Sequence, residues 1–285
     1  YSAAGTSSNF GSAGKRHAKP AHSKIVEMKS SKAAPRHSVD ISEESGVRFL
    51  HFGSDWVQGA MRIARPWSLE LSYTREMMAS LLLRPPGRWP RNALLIGLGA
   101  GSLAKFIYRY LPECRITAVE INPQVEYIAR QYFKLPDDLQ RLRVVIEDGA
   151  EYMLRGESRF DSIMLDGFDE DARAGALDTL PFYQACRARL SDNGILTVNL
   201  LGRSRGFQAS VSRIASAFDG RVVVFPSCDS GNTIAFACAG TPVDTTLVSM
   251  REQATELKKA TRLDLLPTIS RLQLGLALPE GRLHI

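Results

Sequence analysis

One stretch constrains the fold of this chain more than any other: Asn92-Ala-Leu-Leu-Ile-Gly-Leu-Gly-Ala-Gly-Ser-Leu103. An apolar run ends in Gly97, Gly99 and Gly101 and gives way to a helical pattern from Ser102 to Leu111. A buried strand that breaks through glycines into a helix N-terminus offers unpaired backbone N–H groups where the main chain can approach a ligand. The same alternation continues downstream. Apolar spacing predicts strands over 93–97, 116–120, 142–147, 160–165, 195–200, 221–225 and 233–238, and helices over 102–111, 123–133, 181–190 and 207–218. Strands alternating with helices specify an α/β fold with a Rossmann-like, doubly wound, parallel sheet. The last two strands are joined by a short turn at Asp229-Ser-Gly-Asn, so one of them must run antiparallel.

Upstream of the glycine stretch the pattern changes. Residues 46–63 alternate as a strand pair around Gly53-Ser-Asp55, which predicts a small antiparallel hairpin unit. Leu69, Tyr73, Met77 and Leu81 are spaced by four, predicting a helix over 69–83 that Pro85-Pro-Gly87 terminates. The organisation expected is therefore a disordered basic tail over 1–40, a small β-hairpin domain with its linking helix over 41–84, a Rossmann-like domain over 85–240, and a C-terminal helical extension over 241–285.

Charge separates the tail from the body. The formal net charge of the whole chain is +6, and residues 1–38 carry seven Lys and Arg against Glu27 alone, so the remainder sums to zero. The basic pI belongs to the tail, which argues against a folded surface for specific nucleic-acid binding. No run of 18 apolar residues occurs and the first residues lack the apolar core of a secretory signal, so no membrane span is expected and a cytoplasmic location is. Cys114, Cys186, Cys228 and Cys238 form no C-x-x-C pair, and three of the five histidines lie in the tail. No metal centre, disulfide framework or histidine-based dyad is expected.

The glycine spacing bears on the ligand. A dinucleotide fingerprint reads G-x-G-x-x-G; here the third glycine comes one residue early, a form more usual where an S-adenosyl sulfonium compound binds and no pyrophosphate needs seating. Acidic residues stand at the predicted strand ends. Glu120 closes the second strand, where it can accept from ribose hydroxyls. Asp148 closes the third, within reach of an exocyclic adenine amine, and Asp166 and Asp169 follow the fourth. The loop 166–178 holds Asp166, Asp169, Glu170, Asp171 and Asp178 against Arg173, which suits a cationic substrate.

Several of these pieces bring a family into view. Val57-Gln58, Glu76-Met77, Gly97-Leu-Gly-Ala-Gly101, Val119-Glu-Ile-Asn-Pro123, Glu147-Asp-Gly149, Phe160-Asp-Ser-Ile-Met-Leu-Asp-Gly-Phe-Asp169 and Leu180-Pro-Phe-Tyr183 occur in order over about 47–240. In them the chain resembles the polyamine aminopropyltransferases, the spermidine synthase family. The resemblance implies a small N-terminal β domain on a sheet of the S-adenosylmethionine-methyltransferase type, no metal, and a homodimer or tetramer. It implies a co-substrate, decarboxylated S-adenosylmethionine, rather than a permanently bound cofactor, and a polyamine acceptor such as putrescine. Asp166 would be the general base. Asp169, Tyr73 and Glu76 would lie on the acceptor side, Gln58 near the aminopropyl end of the donor, and Gly97, Gly99, Gly101, Glu120, Asp148 and Gly149 around its nucleoside.

The chain departs from the family at four points, one of them a gap from Gln58 to Glu76 longer than in typical spermidine synthases. Ala100 stands where the glycine loop usually carries an Asp, Glu170 where a Pro follows the fourth-strand motif, and Asn199 where a Gln is often found. Two other functions stay open on the residues alone: a methyltransferase using intact S-adenosylmethionine, and a nucleoside-binding protein without turnover.

Overall fold

A computed structural model describes residues 39–53, 57–87, 89–167, 175–202, 206–228 and 231–285. The basic tail up to position 38, and Asp169, Glu170, Asp171 and Arg173 of the acidic loop, lie outside the described residues.

The N-terminal unit has one strand more than expected. Strands β1 (Val39–Glu44), β2 (Val47–Phe52) and β3 (Val57–Arg62) form an antiparallel sheet in that order. Val39 and Asp40, assigned from composition to the tail, open β1. The turn explains why: Ser45 and Gly46 have φ of 51° and 75°, the two left-handed positions of a two-residue hairpin whose twist matches its strands. The helix expected over 69–83 is shorter and composite. α1 (Ser72–Met77) passes into a 3-10 turn, Met78–Leu82. Met77, Met78 and Ala79 are all fully buried, so this segment is enclosed on every side and does not keep the one-faced pattern of a surface helix.

The main sheet is built from β4 (Asn92–Ile96), α2 (Ser102–Tyr110), β5 (Arg115–Glu120), α3 (Pro123–Phe133), β6 (Leu142–Ile146), α4 (Gly149–Arg155), β7 (Phe160–Leu165), α5 (Leu180–Ala188), β8 (Leu190–Leu201), α6 (Phe207–Ala217), β9 (Val222–Val224) and β10 (Asn232–Cys238). Its seven strands are ordered β6-β5-β4-β7-β8-β10-β9. β4 pairs in parallel with both β5 and β7, whereas β10 runs antiparallel to β8 and β9. The chain thus winds outward from β4 in one direction, returns, and winds outward in the other, as in the S-adenosylmethionine-methyltransferase type of sheet.

Period-two alternation along the strands divides the core between the two faces. On β4, Ala93 and Leu95 face one cluster together with Leu103 and Phe106 of α2 and Val125 and Ala129 of α3. Leu94 and Ile96 face the other, with Met153 of α4, Phe182 of α5 and Ile214 of α6. Helix α4 escaped the sequence reading because it is only seven residues long; Asp148 caps it by accepting from the N–H groups of Ala150 and Glu151 at 2.8 and 3.1 Å.

The C-terminal extension adds β11 (Asp244–Thr246), α7 (Leu247–Thr261), α8 (Leu266–Gly275) and β12 (Arg282–His284). Met250, Ala254, Ile269 and Leu272 join the same core cluster as Met77 and Met78. Among the described residues no helix is long and apolar enough to cross a membrane.

Here Glu76 receives a role other than the expected one. Its carboxylate is 5% exposed, accepts from the Thr268 hydroxyl at 2.9 Å and is paired with the Arg271 guanidinium. It fastens α8 to α1. Removing the cation leaves a buried carboxylate short of donors, so Arg271→Ala is expected to lower the unfolding free energy by about 1–3 kcal/mol, read from urea titrations against wild type. An unchanged midpoint would show that the pair contributes nothing.

Candidate active site

The carboxyl ends of the parallel strands open into a cavity of about 500 Å³, beside the switch point where β5 and β7 leave β4 on opposite sides. Gln58, Tyr73, Gly97, Gly99, Glu120, Asp148, Gly149 and Asp166 line it. Two of the expected residues that are described do not line it, and a third is not described. Gly101 precedes α2 and accepts from the Lys105 N–H behind the turn, Glu76 faces α8, and Asp169 lies outside the described residues.

The glycine turn is held by its neighbours' main chains. Gly97 donates to the Val119 carbonyl and Asp166 donates to the Ile96 carbonyl, each at 2.9 Å. This brings the turn so close to the end of β7 that a Cβ on Gly97 would lie 2.3 Å from the Asp166 carbonyl oxygen, and its φ is +93°. Only glycine satisfies both conditions. On the other side, β3 crosses the turn. A Cβ on Gly59 would lie 2.6 Å from the Ala100 Cβ, and Ala100 is 2% exposed. Bare Gly59 therefore admits Ala100, and the position where the resemblance leads one to expect an Asp is here a packing contact between the small sheet and the turn.

Glu120, 7% exposed, binds two turns at once. Its Oε2 accepts from the Leu98 N–H and its Oε1 from the Asn122 N–H, both at 3.0 Å. Burial pushes its pKa up, and the hydrogen bonds from Asn122, Leu98, Gly99 and Ile121 oppose that shift. The carboxylate is fixed, yet each oxygen has further lone pairs for a ligand hydroxyl. Asp148 spends Oδ1 on its helix cap, leaving Oδ2 to meet a donor in the cavity.

Asp166 sits where β7 ends, with its exposed part opening into the cavity. Oδ2 accepts from the Tyr73 hydroxyl at 3.1 Å and Oδ1 from the Asn199 amide at 2.8 Å. Asn199 in turn accepts from the amide of Asn232 at 2.9 Å. Desolvation raises the Asp166 pKa, while the bonds from Asn199 and Tyr73 pull it down. The same environment raises the Tyr73 phenol, by burial first and then by the Asp166 charge, so the phenol keeps its proton and donates. Asn232 had no signal of its own in the sequence. What exposes it is topology: β10 is antiparallel, so its first residue lies at the same sheet edge as the last residues of β7 and β8.

The wall has a sign. Its ionisable groups include the carboxyls of Glu120, Asp148 and Asp166, and among the described residues lining it there is no Lys, Arg or His. A low-dielectric pocket with that lining favours a cationic guest.

Comparison with known proteins finds polyamine aminopropyltransferases among the relatives and, over shorter parts of the chain, eEF1A lysine and N-terminal methyltransferases such as that of Xenopus laevis, 29% identical over 202 residues, covering 66% of this chain and 29% of that protein. The spermine/spermidine synthase domain family matches residues 70–202. A polyamine aminopropyltransferase of Neisseria meningitidis serogroup A is 40% identical over 226 residues, covering 79% of this chain and 85% of that protein. One from Chromobacterium violaceum is 37% identical over 235 residues, covering 82% and 89%. Among solved structures, a spermidine synthase in complex with the transition-state analogue AdoDATO superposes with a TM-score of 0.65 at 22% identity, covering 85% of this chain and 82% of that one.

Gly97→Ala tests the turn. The clash is with backbone and the φ is unfavourable for any side chain, so a stability loss of about 1–3 kcal/mol is expected together with at least tenfold weaker binding of an S-adenosyl nucleoside. Thermal melts and calorimetric titration measure the two effects.

Proposed function

The chain belongs to the spermine/spermidine synthase family, and from that premise we propose how its residues divide the work of aminopropyl transfer. The donor is decarboxylated S-adenosylmethionine and the acceptor a polyamine such as putrescine. Glu120 accepts from the ribose hydroxyls, Asp148 Oδ2 from the adenine amine, and the glycine turn lies against the nucleoside. Gln58, on β3 at the cavity wall, faces the aminopropyl end. Asp169 and Tyr73 stand on the acceptor side. The enzyme is cytoplasmic and works as a homodimer or tetramer.

Asp166 is the general base in this scheme. The acceptor arrives as an ammonium and must lose a proton to attack. Asp166 takes that proton. The freed lone pair then forms a bond to the aminopropyl carbon attached to sulfur. The carbon–sulfur bond breaks, its electron pair returns to sulfur, and 5′-methylthioadenosine leaves as a neutral thioether. The product amine carries the positive charge, and Asp166 passes its proton to solvent. A desolvated carboxylate with a raised pKa is better matched to an ammonium than an exposed one.

One observation carries the choice of donor: the cavity wall is anionic, with no cationic side chain among the described residues. Intact S-adenosylmethionine brings a carboxylate that would meet no counter-ion there, whereas the decarboxylated form brings only positive charge. Ala100 fits the same donor differently from an Asp, leaving its ammonium to Gln58 and to the field of the remaining carboxylates.

The test supplies each donor with a panel of diamines and separates the products by chromatography. Release of 5′-methylthioadenosine with the decarboxylated donor is expected. Exclusive formation of S-adenosylhomocysteine would replace transfer of aminopropyl by transfer of methyl. Asp166→Asn should lower kcat by about 10²–10⁴-fold. The same substitution should raise the melting temperature at pH 7. A carboxyl whose folded pKa lies above its unfolded value is stabilising only below the unfolded value, near 3.8, and that contribution is lost as pH rises through the raised value. At pH 7 the charge is therefore a burden on the fold, which Asn removes. A melting gain that vanishes below pH 4 would identify the titration as its cause.

A further inference from the structure

We propose that Asn232 is a positioning residue for the transfer reaction: it fixes the orientation of the Asn199 amide, and through it keeps the Asp166 carboxylate ionised and aimed at the acceptor. The inference rests on the aminopropyl-transfer role of Asp166 given above.

The geometry is a chain of three side chains from three adjacent strands. Asn232 Nδ2 donates to Asn199 Oδ1 at 2.9 Å, and Asn199 Nδ2 donates to Asp166 Oδ1 at 2.8 Å. Asn199 is 4% exposed and borders only the cavity, so its amide has little water to fall back on. The two ends of an amide differ only in donor and acceptor character. If Asn199 turned over, its oxygen would face a carboxylate oxygen. Two acceptors would then confront each other in a desolvated place, and Asp166 would recover a partner only by becoming protonated. A protonated Asp166 cannot take the acceptor's proton. What holds the productive orientation is the single N–H that Asn232 offers to the far side of the amide.

Other groups around Asp166 do not supply this control. Tyr73, from α1, is the titratable side chain hydrogen-bonded to it and occupies Oδ2. β4 meets it through main chain at Ile96 and Gly97, and β8 and β10 contribute amides. Asn232 is itself anchored by backbone hydrogen bonds. Its carbonyl accepts from the Cys228 N–H at 3.1 Å, and the preceding Gly231 carbonyl accepts from Gly202 at 3.3 Å. The relay thus starts from a residue whose main chain is tied to both neighbouring segments.

The two substitutions that separate a relay from simple packing are Asn232→Ala and Asn232→Asp. Alanine deletes the donor and frees the Asn199 amide to turn. Aspartate keeps the size but, when ionised, only accepts, so it draws the Asn199 NH2 toward itself and reverses the relay. Losses in kcat/KM at pH 7 of about tenfold for N232A and about a hundredfold for N232D are expected, the scale of one and two charge-assisted hydrogen bonds. In both, the acid limb of the pH profile should move to higher pH, further for N232D. A residue that only fills space would leave the acid limb of N232A at the wild-type pH and impair that variant mainly in stability, whereas the added charge of N232D raises the limb in either case.

Activity is not the sole readout. The Asp166 carboxyl can be followed by ¹³C NMR in the full-length protein, assigned by its loss in Asp166→Asn, and its titration should rise in the neutral variant N232A without any turnover. An unmoved titration in N232A, or N232D at least as active as N232A, overturns the proposal. Should wild type release no 5′-methylthioadenosine from any amine, the transfer role fails by itself, while the titration still decides whether Asn232 governs Asp166. If N232D does not fold, N232A carries both measurements.

Discussion

A contact with no room for a methyl group organises this protein. Gly97 lies so close to the peptide of Asp166 that a Cβ would overlap the carbonyl oxygen, and the Asp166 N–H is bonded to Ile96 one residue earlier. The end of β4 and the end of β7 are therefore one structural object. Everything the cavity needs is positioned from that point. The glycine turn projects toward β5, where Glu120 clamps it through the Leu98 N–H, and the carboxylate of Asp166 projects the other way, toward β8. A doubly wound sheet creates the gap between these two directions; the glycine contact keeps it narrow enough for one ligand to touch both sides.

Burying carboxylates beside that gap costs free energy, and the sequence meets the cost with fixed dipoles rather than counter-ions. Glu120 accepts backbone N–H groups, Asp148 caps a helix, and Asp166 accepts a phenol and an amide. A lysine or arginine would have satisfied any of them more strongly. It would also have neutralised the wall and competed with a cationic substrate for the same oxygen atoms. Neutral donors hold the carboxylates in place and leave their charge available. The exceptions prove instructive: Glu76 is paired with Arg271, and that carboxylate is turned away from the cavity and serves the fold.

How much of this could be read from residues alone follows the range of the interactions. The parallel strands, the glycine turn and the carboxylates at strand ends are local patterns, and apolar alternation with an Asp or Glu at its end locates them well. Tyr73 and Asp166 are 93 residues apart, and from the sequence only the family resemblance puts both at one site. Nothing local in the sequence links Glu76 to its partners, Thr268 and Arg271, which are 192 and 195 residues away on a helix of weak periodicity. β1 was missed because its residues are only partly buried, so hydrophobic alternation is faint there and the Ser45-Gly46 turn is the better signal. Asn232 was invisible for another reason. A polar residue at the start of a strand has no distinguishing pattern until the strand's direction is known, and direction is a property of the whole sheet.

Ala100 shows how a departure from a family pattern can be read physically. Taken alone, loss of an acidic side chain from the glycine turn suggests a weaker hold on a cationic donor. The structure ties that loss to Gly59: the two backbones approach until only a methyl group fits between them, and β3, which carries Gln58 to the cavity wall, is drawn in by the same approach. A carboxylate at 100 would have to push β3 away or bury itself against it, and either would move Gln58. The small pair thus exchanges a direct charge contact for a closer wall and a less polar surrounding. In such surroundings the charges that remain act with less screening, and on the scheme proposed above Asp166 then bears more of the task of attracting a cation as well as of taking its proton.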